Sequence, residues 1–212
     1  MFSNVAHMTS GAVDRRIGVR ARMSREGRRE QLLDIGVQLL ATRPLEELSI
    51  ELLSDQAGIS RGLLYHYFGN KQEFHVAVVR RAVGDVYAIT APGELGDPLA
   101  QLVASLGAYV DYVREHHVGY LSLVRAAHGS NEELRAIYED ARNALVDRVF
   151  VRIDGLEAVG VEDTPATRLL ARSWAALVED AVLAWVDDSA GVAREALLDR
   201  LAAALVALIA PA

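Results

Sequence analysis

The stretch Ser49–Phe74, SIELLSDQAGISRGLLYHYFGNKQEF, constrains the fold of this chain more than any other. Ile50, Leu53 and Ala57 fall on one helical face at i, i+3 and i+7. Ser49 is placed to N-cap that helix, with Glu51 in its first turn. Gly58 follows the last apolar position, where the helix end calls for a left-handed residue. Ser60 then caps a second short helix with Leu64 and Phe68 on its inward face. A third helix opens at Asn70, with Glu73 three residues on in a capping-box pattern. The second helix is too short to be stable alone and has to be held by packing. Its other face, with Arg61, Tyr65 and His66, is left free. Short helix, glycine turn and short helix in this order predict a helix-turn-helix whose second helix enters a major groove.

Each exposed residue of that unit has a chemical reading. Arg61 opens the recognition helix, where a guanidinium can fork onto guanine O6 and N7. Tyr65 suits a thymine methyl or a phosphate, and His66 and Tyr67 suit phosphates, with packing around Phe68 as the alternative for Tyr67. Gly62 lets the helix lie close to a sugar-phosphate backbone. Ser49 and Ser60 cap helix N-termini, where a hydroxyl can also face a phosphate. Lys71 is the one lysine among 22 Lys+Arg. A cation is disfavoured at a helix N-terminus, so a phosphate is the expected compensation.

Charge divides along the chain. Residues 1–81 hold 12 Lys+Arg against 9 Asp+Glu, and residues 82–212 hold 10 against 20, which gives the net −7. The basic part coincides with the helix-turn-helix, and the acidic remainder would be repelled by DNA. With 51% hydrophobic residues the chain can bury a core. The absence of cysteine excludes a disulfide framework and fits a cytoplasmic setting. No uninterrupted apolar run suggests a membrane span, and the first residues lack the apolar centre of a signal peptide.

Punctuation sets the organisation. Residues 1–23 are rich in Gly, Ser and Arg and read as a flexible basic arm carrying Arg15, Arg16, Arg20 and Arg22. Residues 24–90 hold a first helix to about Ala41, the two reader helices, and a long helix from Asn70 to about Ile89. APGELGDP at 91–98 is the clearest breaker and marks the start of a second domain, 91–212. Helices are expected there at about 99–115, 118–127, 131–156, 166–188 and 192–209. The class is all-α with nine helices.

The segment resembles the DNA-binding domain of the tetracycline-repressor (TetR) family of bacterial transcription regulators. The matching residues are Ala57-Gly58-Ile59-Ser60-Arg61-Gly62, Leu64-Tyr65-His66-Tyr67-Phe68 and Asn70-Lys71, within residues 25–75. Leu63, Ser54 and Pro44 depart from the Thr, Ala and Gly usual in the family. The resemblance implies a phosphate contact for Lys71, a homodimer, and a second domain that encloses a pocket for a small effector.

In that domain Tyr109, Tyr112, Tyr120, Trp174 and Trp185 lie in aliphatic helices, with His116, His117, Arg125, His128 and Asp180 as polar groups among them. Tyr109, Tyr112, His116, Tyr120, Arg125 and Trp174 are the candidate effector contacts, and a plain core role for the aromatics is the alternative. The mixture suits a hydrophobic or amphipathic effector such as a long acyl chain, its thioester or an aromatic compound, with Arg125 or His116 at its polar end. His116 and His117 diverge by about 100° on a helix, so no metal is expected. Leu197, Leu201, Leu205 and Leu208 recur at i, i+4, i+8 and i+11, and small residues at Ala202–Ala204 and Ala207 permit close approach. With residues 166–188 they predict a four-helix dimer interface, burial within one subunit being the alternative.

The function expected is a homodimeric repressor released from a palindromic DNA operator by a small effector, without a cofactor. A helix-turn-helix regulator without an effector, controlled by a protein partner, is the second reading. No metal triad, P-loop or GxSxG supports an enzyme.

Overall fold

The computed structural model describes residues 24–93, 97–152 and 161–210. The basic arm at 1–23 lies outside the described residues. Among the described residues the fold is nine α-helices with one short 3-10 turn and no strand: α1 (Arg25–Thr42), the turn Leu45–Glu47, α2 (Ile50–Ala57), α3 (Arg61–Phe68), α4 (Lys71–Ile89), α5 (Pro98–Glu115), α6 (His117–Ala127), α7 (Glu132–Arg152), α8 (Pro165–Asp187) and α9 (Arg194–Ile209).

The sequence signals set these ends. Ser24, Ser49, Ser60, Asn70, Asp97 and Thr164 each cap a helix through a side-chain oxygen, satisfying one amide left free by the helix geometry. At α4 the expected capping box does not close. Asn70 Oδ1 accepts from the Glu73 amide at 2.9 Å, but Glu73 Oε1 takes the Asn70 side-chain amide at 2.6 Å. The Asn70 backbone amide is bound instead to the Phe68 carbonyl at 2.7 Å. Gly58 adopts φ 63° and ψ 36° and ends α2 as the left-handed residue.

Two cores form. The first gathers Leu32, Leu53, Leu64, Phe68, Phe74 and Val78 under the reader helices, and the second gathers Val110, Val113, Trp174, Val182, Leu201 and Leu205. The division does not follow the breaker at 91–98. Leu123 and Ala127 of α6 and Leu134 and Tyr138 of α7 belong to the first core, while Val86 of α4 belongs to the second. Arg81 of α4 clamps α1 through Glu30 and Asp34, each at 2.6 Å. Helix α6 lies directly on the end of α1, where a Cβ added at Gly119 would stand 1.8 Å from the Leu40 carbonyl oxygen. Only glycine fits there.

Candidate DNA interface and interior cavity

Helices α2 and α3 hold the reader as the spacing requires. Leu53 and Leu64 are fully buried between them, and Phe68 meets Phe74 of α4 with ring centroids 5.1 Å apart. Ser54, the departure from the usual alanine, donates to the Ile59 carbonyl at 2.6 Å and pins the turn from within. The outward face carries Arg61, Gly62, Leu63, Tyr65 and His66, all exposed. Tyr65 is 47% exposed although it is a large aromatic on a helix otherwise packed inward. Tyr67 is half-buried against the first core and edge-on to His66 at 5.9 Å, so packing accounts for part of its role. A Cβ at Gly62 would meet nothing within the chain. Its lack of a side chain therefore answers no packing demand within the chain.

The charged contacts are already engaged in the free protein. Arg61 stands 3.5 Å from Glu51 of α2, both side chains being largely exposed. Lys71 Nζ donates to the Glu46 carbonyl at 2.9 Å. That carbonyl supplies the compensation expected from a phosphate at this helix N-terminus, and a primary ammonium keeps two further donors. The Ser49 and Ser60 hydroxyls accept from Leu52 and Leu63 amides at 3.0 and 3.4 Å. His75, one turn into α4, was not singled out by the sequence. Its Nε2–H donates to the Leu48 carbonyl at 2.6 Å, and burial, reinforced by Lys71, holds its pKa below the ordinary value.

Glu46 also faces the second domain. Ser122 of α6, buried, accepts from the Leu45 amide at 2.8 Å and donates to Glu46 Oε2 at 3.0 Å. A hydrogen-bonded path thus runs from Ser122 through Glu46 to Lys71, and the 3-10 turn is its middle.

Two residues before Ser122, Tyr120 lines an interior cavity of ≈ 190 Å³ bounded by α1 and α4–α8. Tyr109, Tyr112, His116 and Trp174 line it too. Arg125 does not: it is exposed on the outer side of α6, because a residue five positions after Tyr120 is turned to another face. Its place as the cavity's cation is taken by Arg142 and Arg148 of α7. Tyr112 and His116 stack at 4.1 Å, and His116 Nδ1 bonds the Tyr112 carbonyl at 2.9 Å. Burial, and after it Asp85 and Glu115, pushes the Tyr112 phenol up to about 12. The Trp174 indole N–H donates to the Leu201 carbonyl at 2.7 Å, so this residue both walls the cavity and ties α8 to α9.

The inner end of the cavity is polar. Glu179 of α8 accepts from Tyr120 OH at 2.9 Å, from Arg142 at 2.6 Å and from Tyr138 OH. Tyr109 OH lies 2.8 Å from Tyr120 OH. Burial, with the Glu179 carboxylate beside them, holds the Tyr109 and Tyr138 phenols well above their ordinary range, and burial with Tyr109 and Glu179 does the same to Tyr120. All three remain protonated. The sequence points to Asp180, which is exposed; its half-buried neighbour Glu179 is the acid that lines the cavity. At the outer end Arg148 donates to the Tyr87 carbonyl at 2.7 Å and the Thr90 hydroxyl at 3.2 Å, and lies 3.5 Å over the Tyr87 ring.

The expected dimer contacts are corrected in part. Leu201 and Leu205 are 4% and 1% exposed, facing the subunit's own core, and Leu197 is half-buried. Leu208 is exposed at 38%, and it is joined by Val206 of the same helix and by Leu169 and Leu177 of α8. The leucine stripe is thus largely the inner face of α9, and the exposed Val206 and Leu208 stand on its two opposite flanks, about 160° apart. Among the described residues no group of three or more His, Cys, Asp or Glu could hold a metal, and no helix is long and apolar enough to cross a membrane.

Comparison with known proteins covers both parts of the fold. The profile of bacterial regulatory proteins of the tetR family matches residues 32–78, and that of the tetracyclin repressor-like C-terminal domain matches residues 98–208. The chain is 25% identical over 183 residues to the HTH-type transcriptional activator FasR of Mycolicibacterium smegmatis, covering 84% of this chain and 81% of that protein. It is 36% identical over 63 residues to the HTH-type transcriptional repressor KstR2 of Rhodococcus jostii, covering 30% and 31%. The crystal structure of a tetR-family transcriptional regulator from Streptomyces coelicolor superposes with a TM-score of 0.73 at 32% identity, covering 88% of this chain and 82% of that one.

Proposed function

The chain belongs to the TetR family of DNA-binding transcription regulators, and from that premise we propose that it is a homodimeric repressor released from a palindromic operator by a small amphipathic effector in the cavity of α4–α8. In this reading Arg61 reads a base, Tyr65, His66, Tyr67 and Lys71 hold phosphates with the N-termini at Ser49 and Ser60, and Gly62 admits the backbone. Leu169, Leu177, Val206 and Leu208 meet their copies across a two-fold axis and fix the two readers about one helical turn of DNA, about 34 Å, or more apart.

The observation that carries the effector role is the path from cavity to reader. Tyr120 lines the cavity, and Ser122 on the same helix holds the Leu45–Glu47 turn, whose carbonyl holds Lys71. Because Gly119 leaves α6 no slack against Leu40, a ligand that displaces α6 displaces the reader with it. A ligand shifts this equilibrium only by its differential affinity for the two arrangements. It follows that DNA weakens effector binding by the factor by which effector weakens DNA binding. A walled cavity with a polar end favours this reading over an effector-free regulator driven by a protein partner.

The test is operator binding with and without ligand. An operator is selected from random duplexes, and its affinity is measured across salt. Roughly 4–8 phosphates neutralised per dimer give a log–log slope of about −4 to −7. A screen of small acids, amines, aromatics and acyl compounds then uses Trp174 fluorescence for binding and operator release for response. An operator affinity that no compound alters would transfer the proposal to the partner-controlled alternative.

A further inference from the structure

We propose that the effector is a short hydroxylated carboxylic acid, its carboxylate on Arg148 at the outer end of the cavity and its hydroxyl donating to Tyr109 at the inner end. This rests on the reading of the cavity as an effector site.

Direction of hydrogen bonding decides the inner group. Glu179 only accepts, so Tyr120, Tyr138 and Arg142 all donate to it. Tyr120 has one hydrogen and spends it on Glu179, so in the 2.8 Å contact Tyr109 is the donor to Tyr120. The chain of donors therefore ends at the Tyr109 oxygen, which keeps acceptor capacity and has no hydrogen left to offer. A ligand group that meets it must be a donor; a ketone, ether or ester cannot take its place. An ammonium is also a donor, but with Arg142 spent on Glu179 the cavity keeps the positive charge of Arg148, which disfavours a second cation.

Charge decides the outer group. Arg142 and Glu179 cancel, which leaves Arg148 as the uncompensated charge of the cavity, since no carboxylate among the described residues pairs with it. Its partners are a neutral carbonyl and a neutral hydroxyl, and a carboxylate competes well against both because the bond becomes charge-assisted. Those partners end α4, so Arg148 serves as the cation at that helix C-terminus. An acid that draws Arg148 away loosens one end of the helix whose other end carries Lys71.

Size decides the body. A cavity of about 150 Å³ holds benzene, so at the same filling the ≈ 190 Å³ here covers one hydroxylated ring, and the acid arm of the ligand lies toward the open side of the cavity at Arg148. Arg142 and Arg148 are six residues apart on α7, about 9 Å along the helix axis. A phenolic acid such as p-coumarate bridges a span of that order with one aromatic ring among Tyr109, Tyr120 and Trp174.

The experiment titrates the full-length dimer with p-coumarate, p-fluorocinnamate and the uncharged p-coumaryl alcohol, reading tryptophan fluorescence and operator release. Fluorine keeps the size of the hydroxyl and removes its donor. We expect p-coumarate to bind about tenfold tighter than p-fluorocinnamate, and Tyr109→Phe to bring the two within about twofold. Arg148→Gln should weaken p-coumarate about tenfold and leave p-coumaryl alcohol unchanged. Equal binding of the hydroxy and fluoro acids by the unaltered protein overturns the assignment, whatever the variants do. So does failure of both acids to bind at millimolar concentration. Operator release by choline or a long-chain acyl thioester, without response to these acids, overturns the acid class and leaves the effector reading standing. Release by no compound at all overturns both.

Discussion

Ser122→Ala tests whether the two domains are joined where the geometry places the joint. The substitution removes one oxygen from a buried position and with it two hydrogen bonds, from the Leu45 amide at 2.8 Å and to Glu46 at 3.0 Å. Glu46 reaches solvent and finds water, whereas the Leu45 amide is left buried beneath α6 with no other acceptor, at a cost of about 1–3 kcal/mol. For a chain of this size each kcal/mol moves the melting midpoint by about 2–4 °C, so the midpoint should fall by about 2–12 °C. Circular dichroism melts of the free protein measure that loss. Coupling is the second readout. With α6 no longer bonded to the turn that carries the Glu46 carbonyl, effector occupancy is transmitted less well to Lys71. Families of this kind of switch have coupling worth about 1–3 kcal/mol, a 5- to 150-fold ratio of operator affinities with and without ligand. Ser122→Ala should reduce that ratio at least threefold while ligand affinity measured without DNA stays within about twofold. A variant that melts lower but keeps the full ratio would show that Ser122 only stabilises. A variant identical to the parent in both measurements would refute the joint itself.

Other consequences are as direct. Arg61→Ala should cost about 1–3 kcal/mol at one base position per half-site, and Lys71→Ala should weaken all duplexes alike, as competition with mutated operators would reveal. Leu177→Glu, on the exposed flank of α8, should give a folded monomer by analytical ultracentrifugation that has lost operator binding, whereas Leu201→Glu should unfold the subunit because its position is internal. His75 is held neutral by burial, with a folded pKa below its unfolded value of 6.5. The unfolded chain then binds the extra proton, so stability is full above that value and falls as pH drops through the folded pKa. Melts from pH 7.5 to 5 should show the fall, and His75→Gln should flatten it.

What the residues revealed in advance was whatever depends on neighbours in sequence. Ser49, Gly58, Ser60 and Asn70 act within a turn of their own positions, so the reader and its ends were legible. Glu179 against Asp180 shows where that legibility stops. Adjacent residues on a helix differ by about 100°, and α8 is apolar on more than one face, so its sequence does not say which acid turns inward. The answer lies on α7 and α6, where Tyr138, Arg142 and Tyr120 converge on the one carboxylate. The leucines of α9 fail for a related reason. Leu201 and Leu205 form a regular stripe because a helix packed on α5 and α8 needs one, and a stripe facing a neighbour within the subunit has the same period as one facing a second copy. Exposure separates the two, and it places the free apolar surface at Leu169, Leu177, Val206 and Leu208. Arg148 completes the pattern. In sequence it is one arginine among several on a charged helix, and only its position over Tyr87 at the end of α4 makes it a charge that a ligand can claim.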